Sequence, residues 1–150
     1  MTRLARCAAR RLGIRAPGTL AITFIGARHM RALNKRFLRH DRPTDVLSFR
    51  YEGEPIAGEI LVAPGAARRY AARHGIPYEE ELDRYVVHGL LHWLGYRDGT
   101  PQEQAVMRQQ ENTLLARCGV LPVSDIRHET SDRRPKPRSR SLVSGFRSQV

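Results

Sequence analysis

With 150 residues, 41% of them hydrophobic and 7% aromatic, the chain has the size of one domain with a largely aliphatic core. Its 26 Lys and Arg against 15 Asp and Glu leave a net charge of +11, a balance that suits polyanionic partners, and no apolar run is long enough to span a bilayer. Cys7 and Cys118 form no CxxC pair, which excludes a disulfide-rich or zinc-ribbon protein and reads as two reduced thiols of a cytosolic chain.

The charges are unevenly placed. Nearly all the basic residues are Arg, which grips phosphate in a bidentate way that Lys cannot. No acid precedes Asp41, while Arg3, Arg6, Arg10, Arg11, Arg15 and Arg28 do. Such a start can belong to a transit peptide. Here it runs directly into a strand-like segment, so it reads as part of the folded chain, and Arg interrupts every early apolar stretch that could serve as a signal peptide.

Leu4 to Leu12 reads as a short basic helix stopped by Gly13. Thr19 to Ile25 alternates, with Leu20, Ile22 and Phe24 on one face of a strand. Met30, Leu33 and Phe37 follow at helical spacing and predict a helix over Ala27 to Leu38. A polar turn from His40 to Thr44 leads into a short strand, Val46 to Phe49. After a turn over Gly53 to Gly58 comes another strand, Glu59 to Val62. Pro64 opens a helix that Gly75 closes.

The next helix begins near Pro77 or Tyr78, with Glu79, Glu80 and Glu81 in the first turn, where the helix dipole favours anions. It runs to about Leu94, is apolar almost all round from Tyr85 onward, and ends at Gly95; it should be buried. Thr100-Pro101-Gln102-Glu103 is a capping box. It starts a helix with Val106, Met107, Leu114 and Leu115 on its apolar side, ended by Gly119. Residues 124–150 are polar, basic and rich in Ser, Arg and Pro, and read as a disordered tail outside a domain spanning 1–123. The elements predict a small sheet covered by helices, with the Tyr78 to Leu94 helix at the centre.

That central helix carries the chemistry. His88 and His92 are four apart, so their imidazoles share one face and can reach one metal. Gly95 lets the backbone turn and bring Asp98 back toward both. Three protein ligands leave one tetrahedral position for water, the layout of a catalytic zinc site. The spacing agrees with the metzincin pattern H-E-x-x-H-x-x-G-x-x-H, but Gly89 stands in place of the general-base Glu and Asp98 in place of the third His. Peptide hydrolysis therefore lacks its proton shuttle.

Blander alternatives stand beside this one. The two histidines can be a hydrogen-bonded core pair and Asp98 a turn residue, although two buried imidazoles are costly unless satisfied. Arg39, His40, Asp41, Arg42 and Asp45 crowd one turn, as a phosphate grip through Arg39 or Arg42 or as a solvated loop. Glu59 is either a proton shuttle or an edge-strand carboxylate. The basic residues from Arg133 to Arg140 add non-specific RNA affinity or are merely solvated.

Three stretches together resemble the YbeY family of bacterial rRNA-maturation endoribonucleases. They are Leu33-Asn34 with Phe37 and Asp41-Arg-Pro-Thr-Asp45-Val-Leu-Ser-Phe49; Gly58-Glu59-Ile60; and Val87-His88-Gly-Leu-Leu-His92-Trp-Leu-Gly95-Tyr96. The resemblance runs from about Leu20 to Leu115. It implies a single-domain α+β fold, here a small mixed β-sheet of three to four strands under about five helices. It implies a zinc-dependent endoribonuclease specific for single-stranded RNA, with one Zn2+ on His88, His92 and Asp98. It also implies work on the 3′ end of small-subunit rRNA, contact with the ribosome or small subunit, a role in ribosome quality control, a cytoplasmic location, and no DNA or membrane partner. The family usually carries His where Asp98 stands, and Arg where Leu38 stands, so Arg39 is the candidate for the catalytic phosphate contact. The rival functions are a non-enzymatic RNA-binding ribosome-assembly factor and a zinc hydrolase of a peptide or acyl bond.

Overall fold

The computed structural model describes residues 2–14, 18–51 and 56–121. In chain order these hold α1 (Thr2–Arg11), β1 (Gly18–Phe24), α2 (Ala27–Leu38), β2 (Val46–Tyr51), β3 (Ile56–Val62), α3 (Pro64–His74), α4 (Tyr78–Trp93) and α5 (Pro101–Arg117). The expected α+β architecture is present, with three strands and five helices among the described residues. The tail expected beyond residue 123 lies outside them.

The strands run in the order β1-β3-β2, with β1 parallel and β2 antiparallel to β3. Glu59 therefore stands on the central strand, not on an edge, between Ala21 of β1 and Phe49 of β2. An edge could not be told from a centre by sequence, because strand order follows from the β1–β3 pairing that skips β2.

Alternation along the strands gives the sheet two faces. One carries Ile60, Val62 and Val46 and packs on α4, whose Val86, Val87, Leu90 and Leu91 are fully buried. Burying each such side chain contributes roughly 1.5–3 kcal/mol, so this contact is the main hydrophobic core. The other face carries Leu47 and Leu61, on which Met30 of α2 sits. Asn34 of α2, also buried, donates from Nδ2 to the Arg42 carbonyl at 2.7 Å and so clamps the loop that leads into β2.

Helices α1, α3 and α5 surround α4 on its remaining sides. Leu4 and Ala8 of α1, Ala67 of α3, and Met107, Leu114 and Leu115 of α5 complete the core. Val106, expected on the apolar side of α5, is 43% exposed instead. The buried stripe follows Met107, Glu111, Leu114 and Leu115, so a carboxylate sits inside it.

The two cysteines correct the expectation of free thiols. Cys7 and Cys118 are joined in a disulfide, with Cα atoms 5.9 Å apart. The reason is tertiary: α1 and α5 both dock on α4, which brings residues 111 positions apart in sequence into bonding range.

Candidate metal centre

Two local devices position the donors. The first is the phase of α4. Leu90 and Leu91 point into the core, which leaves His88 facing Glu111 of α5 and His92 facing the turn at Tyr96, both partly buried, with ring centroids 4.4 Å apart and planes at 89°. The second is the helix stop. Gly95 adopts φ +94, a left-handed conformation that glycine reaches without strain. Its amide donates to the His92 carbonyl at 2.9 Å, and the Tyr96 amide donates to the Leu91 carbonyl at 3.0 Å. The chain thus reverses and carries Asp98 back over the histidines.

Asp98 is then held from α5. Gln104 Nε2 donates to the Asp98 carbonyl at 3.0 Å. The capping box predicted at Thr100 is formed in both directions, Glu103 N to Thr100 Oγ1 at 3.2 Å and Thr100 N to Glu103 Oε2 at 3.0 Å. The start of α5 is fixed directly after Asp98 as a result.

His88 Nε2 and His92 Nε2 lie 2.9 Å apart, and Asp98 Oδ2 lies 3.8 Å from the first and 3.7 Å from the second. This is the group that could hold a metal ion among the described residues. Zinc bonds of 2.0–2.2 Å to N and O put tetrahedral ligand atoms about 3.3–3.5 Å apart, and the three separations bracket that figure.

The outer ring nitrogens decide what the inner ones offer. His88 Nδ1 lies 2.7 Å from Glu111 Oε1, and His92 Nδ1 lies 3.0 Å from the Tyr96 carbonyl. A carbonyl and a carboxylate only accept, so both Nδ1 atoms carry hydrogen. In the neutral rings, two Nε2 lone pairs and a carboxylate oxygen then converge on one point. A proton shared between the rings or a metal ion would satisfy such a convergence, and the donor set fits a metal ion.

Burial disfavours charge on both rings. At His88 the bond to Glu111 and its charge outweigh burial and raise the pKa above the ordinary histidine range. His92, partly buried and facing His88, is lowered. Glu111 is tied in turn to Arg84 Nη1 at 3.4 Å, and the same Nη1 donates to Asn112 Oδ1 at 2.8 Å. Sequence reasoning missed Glu111. The signal available was a carboxylate four residues after Met107, in line with Leu114 and Leu115 on the apolar stripe.

The position of the missing protease Glu is closed by packing. A Cβ on Gly89 would run into Ile60 Cγ2 and approach Val46 Cγ1 to 2.9 Å, and Ser48 Oγ donates to the Gly89 carbonyl at 2.8 Å. Gly89 is where the helix rests on the sheet, so no side chain fits there. Gly58 is a second such contact, against Trp93 and the Phe49 carbonyl. Since Gly58 and Ile60 face α4, Glu59 between them faces the opposite side of the sheet. There it accepts from Thr23 Oγ1 at 3.1 Å, away from the histidines.

His88 and Asp98 open into a cleft of about 640 Å³ between α3, α4 and α5, which Asp45 also lines. Asp45 is held by its own Oδ1, which accepts from Thr44 Oγ1 and the Val46 amide, each at 2.9 Å. Arg39 is placed elsewhere. It stands exposed at the end of α2 with φ 59, its amide bonded to the Asn34 carbonyl, and is not among the residues of the cleft wall.

A family model described as Endoribonuclease YbeY matches residues 1–119. The chain is 36% identical over 114 residues to the Endoribonuclease YbeY of Geobacillus kaustophilus, covering 67% of this chain and 73% of that protein. It is 41% identical over 98 residues to the one from Chlorobium phaeovibrioides, covering 65% and 66%. The solution structure of a Thermotoga maritima protein superposes with a TM-score of 0.55 at 26% identity, over 78% of this chain and 77% of that one.

Proposed function

This chain belongs to the Endoribonuclease YbeY family, and on that premise we propose that it is a zinc-dependent endoribonuclease for single-stranded RNA. Its proposed substrate is the 3′ end of small-subunit rRNA, met on the ribosome or its small subunit in the cytoplasm, with a part in ribosome quality control. The catalytic unit is residues 1–123, with 124–150 a basic tail. The single observation that carries the reading is the convergence of His88 Nε2, His92 Nε2 and Asp98 Oδ2 on one point beside an open cleft that His88 and Asp98 line.

His88, His92 and Asp98 hold the one zinc ion. Glu111 and the Tyr96 carbonyl keep hydrogen on the outer nitrogens, so the inner ones stay available as donors. Bound there, zinc supplies Lewis acidity to a phosphoryl oxygen and lowers the pKa of water toward neutrality. Arg39, exposed beyond the cleft, offsets charge on the RNA phosphates. The excess of basic residues adds sequence-independent affinity that weakens with salt. The closed position at Gly89 argues against the peptide hydrolase reading. No helix of the described residues is long and apolar enough to cross a membrane.

The test is cleavage of a single-stranded RNA carrying the 3′ sequence of small-subunit rRNA by the zinc-loaded protein. We expect cutting that is lost with chelator and in His92→Ala, and absent on duplex RNA and on DNA of the same sequence. Cutting that survives both treatments would overturn the zinc mechanism. Tight RNA binding with no cutting would favour the assembly-factor reading instead.

A further inference from the structure

Two aromatic side chains share the cleft with the metal-binding group. Tyr70 and His74, one turn apart on α3, both line its wall together with His88 and Asp98. Their rings stack with centroids 3.8 Å apart and planes at 19°. His74 Nδ1 donates to the Tyr70 carbonyl at 2.9 Å, which fixes the imidazole against the phenol. Neighbours at this helical spacing often pair for local reasons alone. Here the pair remains open to solvent, with Tyr70 44% exposed, and it lines the same cleft as His88 and Asp98 of the donor triad.

The charge of that cleft makes the pair informative. Asp45, Glu80, Glu81, Asp98 and Glu111 line it, and Arg84 is already engaged by Glu111, Asn112 and Glu81. Arg108 is exposed, also lines the cleft, and has no ion-pair partner among the described residues. A strand of phosphates entering this acid-rich wall meets repulsion along most of it. A nucleobase carries no charge, and stacking on a flat ring is indifferent both to the acids and to base identity.

Distance also agrees. Glu80, Arg84 and His88 follow one another at four-residue spacing on α4, all in the cleft wall. At 1.5 Å per residue Glu80 and His88 stand roughly 12 Å apart along the helix axis, so the cleft wall is long enough for a short stretch of single strand.

We infer that Tyr70 and His74 form a stacking platform for a nucleobase of the bound single strand, a few nucleotides from the scissile phosphate, with Arg108 taking a neighbouring phosphate. This rests on the RNA reading above and adds to it a base-binding subsite.

The test uses the full-length zinc-loaded protein and 2′-O-methyl RNA oligonucleotides, which resist cleavage, with a single abasic position moved along the strand. Binding is followed by fluorescence anisotropy. Tyr70→Ala should weaken binding to intact RNA about tenfold, while Tyr70→Phe and Tyr70→Trp keep it. One abasic position should weaken the wild type by a similar factor and leave Tyr70→Ala unaffected. His74→Ala should fall between. Wild-type affinity in Tyr70→Ala and His74→Ala, or an abasic profile unchanged by Tyr70→Ala, would overturn the platform. Thermal melting shows whether each variant folds; should Tyr70→Ala fail to fold, His74→Ala and the abasic scan on wild type decide the matter by the same criteria. The two readings fail separately. Tyr70-dependent binding without cleavage of natural RNA retains the platform and removes the nuclease. Cleavage with Tyr70-independent binding does the reverse.

Discussion

Glu111 Oε1 lies 2.7 Å from His88 Nδ1, and the two come from different helices 23 residues apart. This one bond sets the tautomer of a proposed metal ligand and raises its pKa. Replacing Glu111 by Gln should lower zinc affinity by roughly 10–100-fold, the usual effect of losing a carboxylate behind a histidine ligand. Competition against a chromophoric chelator measures it. Unchanged affinity in Glu111→Gln would remove Glu111 from the site.

Protons and zinc compete for the same nitrogens, so affinity should fall on acidification. Because His88 is raised and His92 lowered, the decline should begin above the ordinary histidine range and be governed by His88. Glu111→Gln should move its onset to lower pH. In the metal-free protein the sign for stability is opposite at the two rings. His88 contributes stability below its unfolded pKa that is lost as pH rises through the folded value. His92 contributes stability at neutral pH that is lost as pH falls. An NMR titration of the metal-free protein reads both rings, and finding His92 protonated first would contradict the assignment.

Gly89→Ala places a methyl group against Ile60 and Val46. Overpacking of this kind costs about 1–3 kcal/mol, so the melting temperature should drop and zinc affinity with it. Gly89→Glu should be worse and should not create a peptidase. A melting curve equal to the wild type would show that the helix–sheet contact is looser than described.

The Cys7–Cys118 disulfide ties α1 to α5 across a long loop. Reduction, or Cys7→Ser with Cys118→Ser, should lower stability by about 2–4 kcal/mol. Denaturant unfolding with and without reductant is the measurement. Coincident curves would mean that the bond adds nothing to the fold.

Removing residues 124–150 should leave thermal stability and zinc affinity as they are, because the family match ends at residue 119 and the core of the described residues is built from elements that end before residue 122. RNA affinity at low salt should fall with the lost basic residues. A lower melting temperature in the truncated protein would place the domain boundary further along the chain.

Much of this was legible in one dimension because it is local. Helix α2 matches its expected bounds, Ala27–Leu38, since periodicity and its flanking turns are properties of neighbouring residues. The histidine pair, the glycine bend and the capping box are likewise short-range, and together they place Asp98 beside His88 and His92. What only the tertiary structure decided are the encounters between distant segments. Glu59 lies on a central strand because β1 pairs with β3. Glu111 backs His88, Gly89 is closed by Ile60, Cys7 meets Cys118, and Tyr70 shares a cleft with His88 and Asp98 only once α1, α3 and α5 dock on α4 and the sheet. Short-range geometry is written in backbone preferences, whereas these contacts depend on how buried faces pair, and sequence spacing carries no record of that pairing.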